Sequence, residues 1–478
     1  MKKVFWGNSR FSMWSALFMC FFCPQYARGD GQTKFINLAN EGVTPIDIHT
    51  SRGSFLMDGL QQLNAALIFS RDHWKDLTGQ RPTWFAATQK GNKLVGTGAE
   101  TTDAQQGLAV ALSADGNMLV SGAPLEHNGA AVNSGAVWTF IRTGGVFSQS
   151  GNKLTQVTPT AATQFGNAVS LSCDGGTLAV GAHYYDAASN IGTVYIYTRT
   201  GATWGSEQKL PDPSGRTGDA GVGESVKLSC DGDTLAVSGS ADNANAGAVW
   251  VFTRIGGVWT QQSGKITVPA DGVGATLFGH YISLSADGNT LAIGSLNDNG
   301  SRGAVWIFIR INNAWVQQGN KLVPNDLGGA TNDYAGVSAL SADGNTLAIG
   351  GNGDNGSKGA AWIFRRSNGV WSQQASKLVG TGNVGNAGQG ISVSLSSDGN
   401  TLAVGGFSDD ASKGAVWLWI QRNGLWTQAG KKLVGTGAVN TPNPAFQGYS
   451  VALSSDGNTL AEGGYQDNTF AGAVWVFA

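Results

Sequence analysis

Leu284-Ser285-Ala286-Asp287-Gly288-Asn289-Thr290-Leu291-Ala292-Ile293-Gly294, followed after a loop by Gly303-Ala304-Val305-Trp306-Ile307-Phe308, is one copy of a phrase written seven times in this chain. Its aspartate recurs at Asp115, Asp174, Asp231, Asp287, Asp343, Asp398 and Asp456, a spacing of 55 to 59 residues. A period of that length, built from short apolar runs between Gly/Asn/Asp turns, signals one small sheet repeated rather than one large core. Composition agrees. Gly supplies 71 of 478 residues and charged residues only 13%, against typical shares of about 7% and about 25%.

Each copy divides into four strands. Ile282–Ser285 alternates large with small residues, and the turn Ala286–Asn289 reverses the chain into Thr290–Gly294. A longer loop leads to Ala304–Ile309, and Asn312-Asn313 turns the chain into Trp315–Gln318 and on to Lys321-Leu322. Asn368-Gly369 and Asn423-Gly424 fill the same turn elsewhere, as a two-residue hairpin with positive φ prefers. The third strand is apolar on both faces, Val305, Ile307 and Ile309 against Trp306 and Phe308, which fits a sheet covered on both sides. The expected fold is therefore all-β, a seven-bladed β-propeller of four-stranded antiparallel blades. A linear solenoid would need a cap at each end. Instead the last copy stops after its third strand, Gly472–Ala478, and a spare fourth strand, Trp84–Leu94, precedes the first copy. The N-terminal strand is expected to pair into the last blade and close the ring.

Outside residues 84–478 the chain reads differently. Residues 1–29 resemble a signal peptide: Lys2, Lys3 and Arg10 are basic, Phe11–Cys23 is largely apolar, and Ala27 and Gly29 are small. That run falls short of the ~20 residues a spanning helix needs, so no transmembrane segment is expected in the mature chain. Its removal takes Lys2, Lys3, Arg10 and Arg28 from the 30 basic residues, leaving 26 against 32 acidic ones. With no basic cluster, nucleic acid is not an expected partner. Arg28-Gly29-Asp30 straddles the cleavage point and is read as coincidence. Residues 30–83 form an N-terminal extension. Phe55, Leu56, Leu60, Leu63 and Leu67 suggest one short helix over about Ser54–Phe69, with a linker over Asp72–Pro82. Cys173 and Cys230 occupy one slot of adjacent repeats, filled elsewhere by Ala114, Ala286, Ala342, Ser397 and Ser455. They are read as small turn residues, since equivalent atoms of neighbouring blades are expected to lie too far apart for a bridge.

Phe165-Gly166 and Phe278-Gly279 before the first strand, Gly122-Ala123-Pro124 after the second, and Gly-Ala-Val-Trp in the third resemble the FG-GAP repeats of integrin α-subunit heads and related bacterial propellers. The resemblance spans residues 84–478 and implies an extracellular seven-bladed propeller used for recognition. Calcium-binding members carry Asp-x-Asp-x-Asp-Gly between the first and second strands. This chain has Ser-x-Asp-Gly-Asn there, one carboxylate where Ca²⁺ takes six to eight oxygens. No cofactor is expected, and calcium at those turns is not. The absence of a Trp-Asp dipeptide separates the chain from the WD40 class.

In this strand order the second-to-third and fourth-to-first loops share one face and the tight turns the other. The loop face is the expected binding surface. It carries a recurrent acid, Asp186, Asp242, Asp298, Asp354, Asp409 and Asp467, with Glu126 in the first copy. Two readings stand: a ring of carboxylates for a cation, a basic peptide or sugar hydroxyls, or aspartates bonding their own turn backbone. Arg302, Lys358 and Lys413, just before the third strand, are the expected ion partners of these acids. His127 and His183 are further loop-face candidates, with His280 on the fourth copy; blade separation is expected to keep the three apart, and no metal-ligand spacing is present. Glu462 stands in a second-strand slot otherwise filled by Val180, Val237, Ile293, Ile349 and Val404, with Ser121 in the first copy, and a polar pocket at the ring seam is expected there. Lys227 replaces the Ala111, Ser170 and Ser283 of the innermost strand, and is expected to point towards the channel or to snorkel.

No nucleophile motif, paired-carboxylate pattern or phosphate-cradling loop occurs, so an enzyme is not expected. The expected function is a secreted or surface-displayed monomer that binds an extracellular protein or glycan, as an adhesion or recognition module. Two alternatives are a polysaccharide lyase or hydrolase using Asp298 or Asp354 with His127 or His183, and a purely structural component of an envelope or appendage.

Overall fold

The computed structural model describes residues 46–50, 53–57, 87–100, 103–184, 190–329 and 331–478, and the chain divides into two units at Thr83/Trp84. In the first unit Ile46–Thr50 and Gly53–Met57 pair as an antiparallel hairpin. The helix expected to begin near Ser54 is thus replaced by a strand as far as Met57. The remainder of that helix, the linker over residues 72–82 and the signal-peptide residues 1–29 lie outside the described residues.

The second unit is a ring of seven small antiparallel sheets. Blade four runs Tyr281–Leu284, Thr290–Ser295, Ala304–Ile311 and Ala314–Gln317 in spatial as in chain order. The other blades repeat it, from Ala109–Leu112 in blade one to Ser450–Leu453, Leu460–Gly464 and Ala473–Phe477 in blade seven. Their second and third strands are buried from both sides, as the doubly apolar third strand requires. Trp138, Trp250, Trp306, Trp362, Trp417 and Trp475 are all sealed between neighbours. At most seams the second strand needs glycine, with Ser238 in that slot in blade three. A Cβ on Gly294 would sit 1.8 Å from the Gly336 carbonyl oxygen, and one on Gly463 would sit 2.0 Å from that of Gly107.

Closure is three-plus-one, as the missing and spare strands indicate. The Lys90 and Leu94 amides donate to Val476 and Val474 at 2.8 and 2.7 Å, and Val474 and Ala478 donate back to Leu94 and Thr88 at 3.0 and 3.1 Å. The part of the spare strand before Ala87 lies outside the described residues.

On the turn face the blades are also joined head to tail. The amide of Ala114 donates to the carbonyl of Cys173, Cys173 to Cys230, Cys230 to Ala286, Ala286 to Ala342, Ala342 to Ser397, Ser397 to Ser455 and Ser455 back to Ala114, all between 2.8 and 3.0 Å. This circular bond explains the small residues of that slot. It also corrects the reading of the cysteines: the blades converge there, Cys173 and Cys230 have Cα atoms 4.6 Å apart, and they form a disulfide. The repeat aspartate is a turn brace. Asp287 accepts from Ser285 Oγ at 2.5 Å and from the Asn289 amide at 2.9 Å, and Asn289 Oδ1 in turn accepts from Arg310 at 2.8 Å.

Candidate functional site

The recurrent loop-face acids of six blades are described, and they are inside the protein. Asp242, Asp298, Asp354, Asp409, Asp467 and Glu126 are each 0% exposed. Each makes the same two contacts. One carboxylate oxygen accepts an amide from the loop entering its own blade, such as Val273 to Asp298 at 2.8 Å or Thr217 to Asp242 at 2.7 Å. In the aspartates the other meets the lysine that follows the fourth strand: Lys265 to Asp242 at 2.5 Å, Lys321 to Asp298 at 2.6 Å and Lys377 to Asp354 at 2.7 Å, with Lys432 closing on Asp409 and Lys93 on Asp467. In blade one Glu126 Oε1 takes both the Glu100 amide and Lys153, at 2.7 and 2.6 Å. These acids are clamps that tie three segments of a blade together, and their carboxylates are not presented to a ligand. Asp186 lies outside the described residues. The expected partners differ as well: Lys413 pairs with Asp410 at 2.9 Å and Arg302 faces Asp333 at 3.7 Å.

The unusual side chains gather elsewhere, at the loop-face mouth of the central channel. Two columns of the repeat line it. The residue after each seam glycine is Asn167, Glu224, His280 or Tyr449 in blades two, three, four and seven, and the residue after the second strand is His183 in blade two, Phe407 in blade six and Tyr465 in blade seven. On one side, His280 Nδ1 lies 2.7 Å from Glu224 Oε1 as a close ion pair. Glu224 also accepts from the Ser240 amide at 3.2 Å. Burial works against both charges. The hydrogen bond and charge of the partner outweigh it, holding the Glu224 carboxyl low and the His280 imidazole high. His183 stands within electrostatic reach of both; burial, opposed by Glu224 and reinforced by His280, lowers it to about 4. His183 and His280 are therefore brought together around Glu224, a residue the sequence reading passed over, while His127 stays with the Glu126–Lys153 pair, its carbonyl accepting from Lys153 at 3.2 Å.

Across the mouth is an aromatic group from blades six and seven. Phe407 packs on Phe446 with centroids 5.3 Å apart, Phe446 on Tyr465 at 5.6 Å and Tyr465 on Tyr449 at 4.6 Å. All four are half-buried. Burial and then Tyr465 push the Tyr449 phenol up to about 12. Tyr281, on the first strand of blade four, feels both sides: burial, Tyr449 and Glu224 all raise its phenol. The mouth thus offers neutral phenols, two imidazoles of which that of His183 is held neutral, and half-buried aromatic faces.

The two strand-level exceptions part company. Lys227 is exposed between buried Val226 and Leu228, so it faces the channel. Glu462 is fully buried, cross-strand from Val451 and Trp475, with no partner for either oxygen among the described residues. The expected polar pocket does not form. Glu462 shares its face of blade seven with Trp475, which packs on blade six, whereas Ser121 shares its face of blade one with Trp138, which packs on blade seven. Among the described residues no group of His, Cys, Asp or Glu is placed to hold a metal, and no helix is long and apolar enough to cross a membrane.

Residues 151–197, from the end of blade one through the third strand of blade two, match the FG-GAP repeat family. Among curated proteins none matches the chain. Among solved structures, a chain of Kuenenia stuttgartiensis hydrazine synthase superposes with a TM-score of 0.51 and 18% identity over 79% of this chain and 97% of that one. At that identity the likeness shows the fold alone.

Proposed function

We propose, from the premise of a seven-bladed propeller carrying an FG-GAP repeat, that the protein is a monomeric recognition module that binds a glycan at the loop-face channel mouth. One observation carries the reading. The side chains that depart from the repeat converge on that mouth from blades two, three, four, six and seven, while the acids common to the blades are buried in clamps. Aromatic faces such as Tyr449 and Tyr465 suit the apolar faces of sugar rings, and the phenols and imidazoles beside them suit hydroxyls. The site binds without catalysis in this reading: Glu224 is held ionised by His280 and Ser240, and Glu462 is sealed between blades. The Cys173–Cys230 bridge favours an oxidising compartment, as does the basic-then-apolar start of the chain, and so supports a secreted or surface-displayed protein.

The test is binding of labelled protein to a glycan array, followed by Tyr449→Ala and His280→Ala. The expected result is saturable binding that weakens about tenfold or more in each variant, the scale of one lost anchoring contact. Binding indifferent to both substitutions, or silence across the array, would overturn the proposal.

A further inference from the structure

The inner strands build the channel wall from small residues. At the level of Lys227 the other six positions are Ala111, Ser170, Ser283, Ala339, Ser394 and Ala452, fixed by their register on the second strands. The three serines are engaged with the wall itself. Ser170 accepts from the Leu228 amide at 3.0 Å, Ser283 from Leu340 at 2.8 Å and Ser394 from Leu453 at 3.0 Å. Lys227 alone projects a charge at this level. It has no hydrogen-bond or ion-pair partner among the described residues, and none of the other six residues is acidic. A long flexible cation at one slot of a seven-fold wall is not needed for packing, because alanine or serine fills that slot in the other six blades.

Its depth fits the mouth. Tyr281 pairs with Gly294 and Ser283 with Ala292, so Lys227, the counterpart of Ser283, starts two residues deeper than Tyr281, about 7 Å at a strand's rise per residue. A ring held at the mouth among Tyr281, Tyr449 and Glu224 would extend an axial substituent towards the ammonium. Among the described residues no carboxylate meets the ammonium, so a bound anion would be its first mate. Enclosure by the wall lowers the lysine's pKa, so the unpaired cation is destabilised as it stands and gains from an incoming anion.

We infer that Lys227 is a specificity determinant for an acidic saccharide, taking a sugar carboxylate into the channel while the ring rests at the mouth. This rests on the glycan reading above and narrows it to charged sugars. The acidic group forms a charge-assisted hydrogen bond with Nζ within the wall of inner strands. Neutral sugars use the mouth alone.

The experiment is isothermal titration of the full chain with oligouronates and, separately, with their methyl esters, which keep the ring and remove the charge. The wild type is expected to bind the acid about tenfold or more tighter than the ester, as one charge-assisted bond allows. Lys227→Ala and Lys227→Gln should lose that preference and keep ester affinity, and Lys227→Arg should keep part of it. Equal affinity of the wild type for acid and ester, or a preference that survives Lys227→Ala, overturns this inference and leaves the mouth reading intact if ester binding still falls with Tyr449→Ala. Binding of neither overturns both. Labelling of Lys227 by an amine-reactive reagent, read by mass spectrometry, gives a second measure: protection by the oligouronate and not by its ester is expected, and equal labelling in both counts against it.

Discussion

A single carboxyl illustrates how far one residue can depart from its repeat. Glu462 stands where five other blades have Val or Ile, pressed between Val451 and Trp475 with no exposed surface. Burial raises it to about 8. The carboxyl is therefore protonated in the folded state at neutral pH, while in the unfolded chain it ionises near its ordinary 4.5. Below that value both states hold the proton and the contribution is complete. As pH rises from about 4.5 to about 8 only the unfolded state loses it, and folding stability falls. The window corresponds to a loss on the order of 5 kcal/mol at 1.36 kcal/mol per unit. Denaturant midpoints from pH 4 to pH 9 should therefore decline for the wild type more steeply than for Glu462→Gln, with the two curves diverging through this window. Parallel curves would show that the carboxyl is solvated or paired.

At the scale of elements, the second-to-third loop shows why a repeated acid is a poor guide to a site. In blade three Asn243, Ala244 and Asn245 have φ of 52°, 54° and 68°, one turn of left-handed helix that costs side-chain-bearing residues roughly 1–2 kcal/mol each. The aspartate before it offsets that strain by joining the incoming loop to the outer strand's lysine, and the same turn follows Asp298, Asp354, Asp409 and Asp467. Lys321→Met would strand the buried Asp298 carboxylate and cost about 3 kcal/mol, at the low edge for a broken buried pair because Lys321 keeps some solvent contact. Adding Asp298→Asn should recover much of it. Chemical denaturation of Lys321→Met, Asp298→Asn and the double variant decides the point, and additive losses would mean the pair is not coupled. The strands and turns of this blade were legible because each obeys a local rule: alternation, Asn-Gly turns and seam glycines. The clamp was half legible. Asp298 and Lys321 both recur, but their pairing depends on a fold-back 23 residues long, and Lys358 and Lys413 stood nearer in sequence. The mouth was hidden for a different reason. Asn167, Glu224, His280 and Tyr449 come from one slot in different blades, and each alone resembles an ordinary loop residue; only reading that column across the repeats singles them out.

For the whole molecule the question is what keeps seven weakly independent sheets in one ring. A four-stranded blade cannot bury its own two faces, so stability is shared across seams, and an open ring would expose two of them. The seam between blades seven and one carries the arginine, seam-carbonyl and turn-face bonds that recur at other seams. Arg142 of blade one reaches Thr459 of blade seven at 3.0 Å, as Arg366 of blade five reaches Thr290 of blade four at 3.2 Å. Ser450 Oγ donates to the Gly107 carbonyl at 2.8 Å, and the circular turn-face bond passes from Ser455 to Ala114 without a break. The N-terminal strand adds the remaining part: Lys93 supplies the cation that the seventh blade's own chain lacks, and Thr88–Leu94 covers the edge Ala473–Phe477. Deleting Thr88–Leu94 removes five backbone hydrogen bonds at about 1 kcal/mol net each and leaves Asp467 buried without a mate, a loss comparable to the whole stability of an ordinary domain. The expected outcome is a large fall in Tm by calorimetry, with dimers or larger species on size exclusion as free edges pair between molecules. Lys93→Met, which keeps the strand and removes only the ion pair, should fall between this deletion and the wild type and stay monomeric. A deletion that melts with the wild type would mean that the ring is held by its inner seams alone, and that the borrowed strand is a covering of the edge rather than the closure.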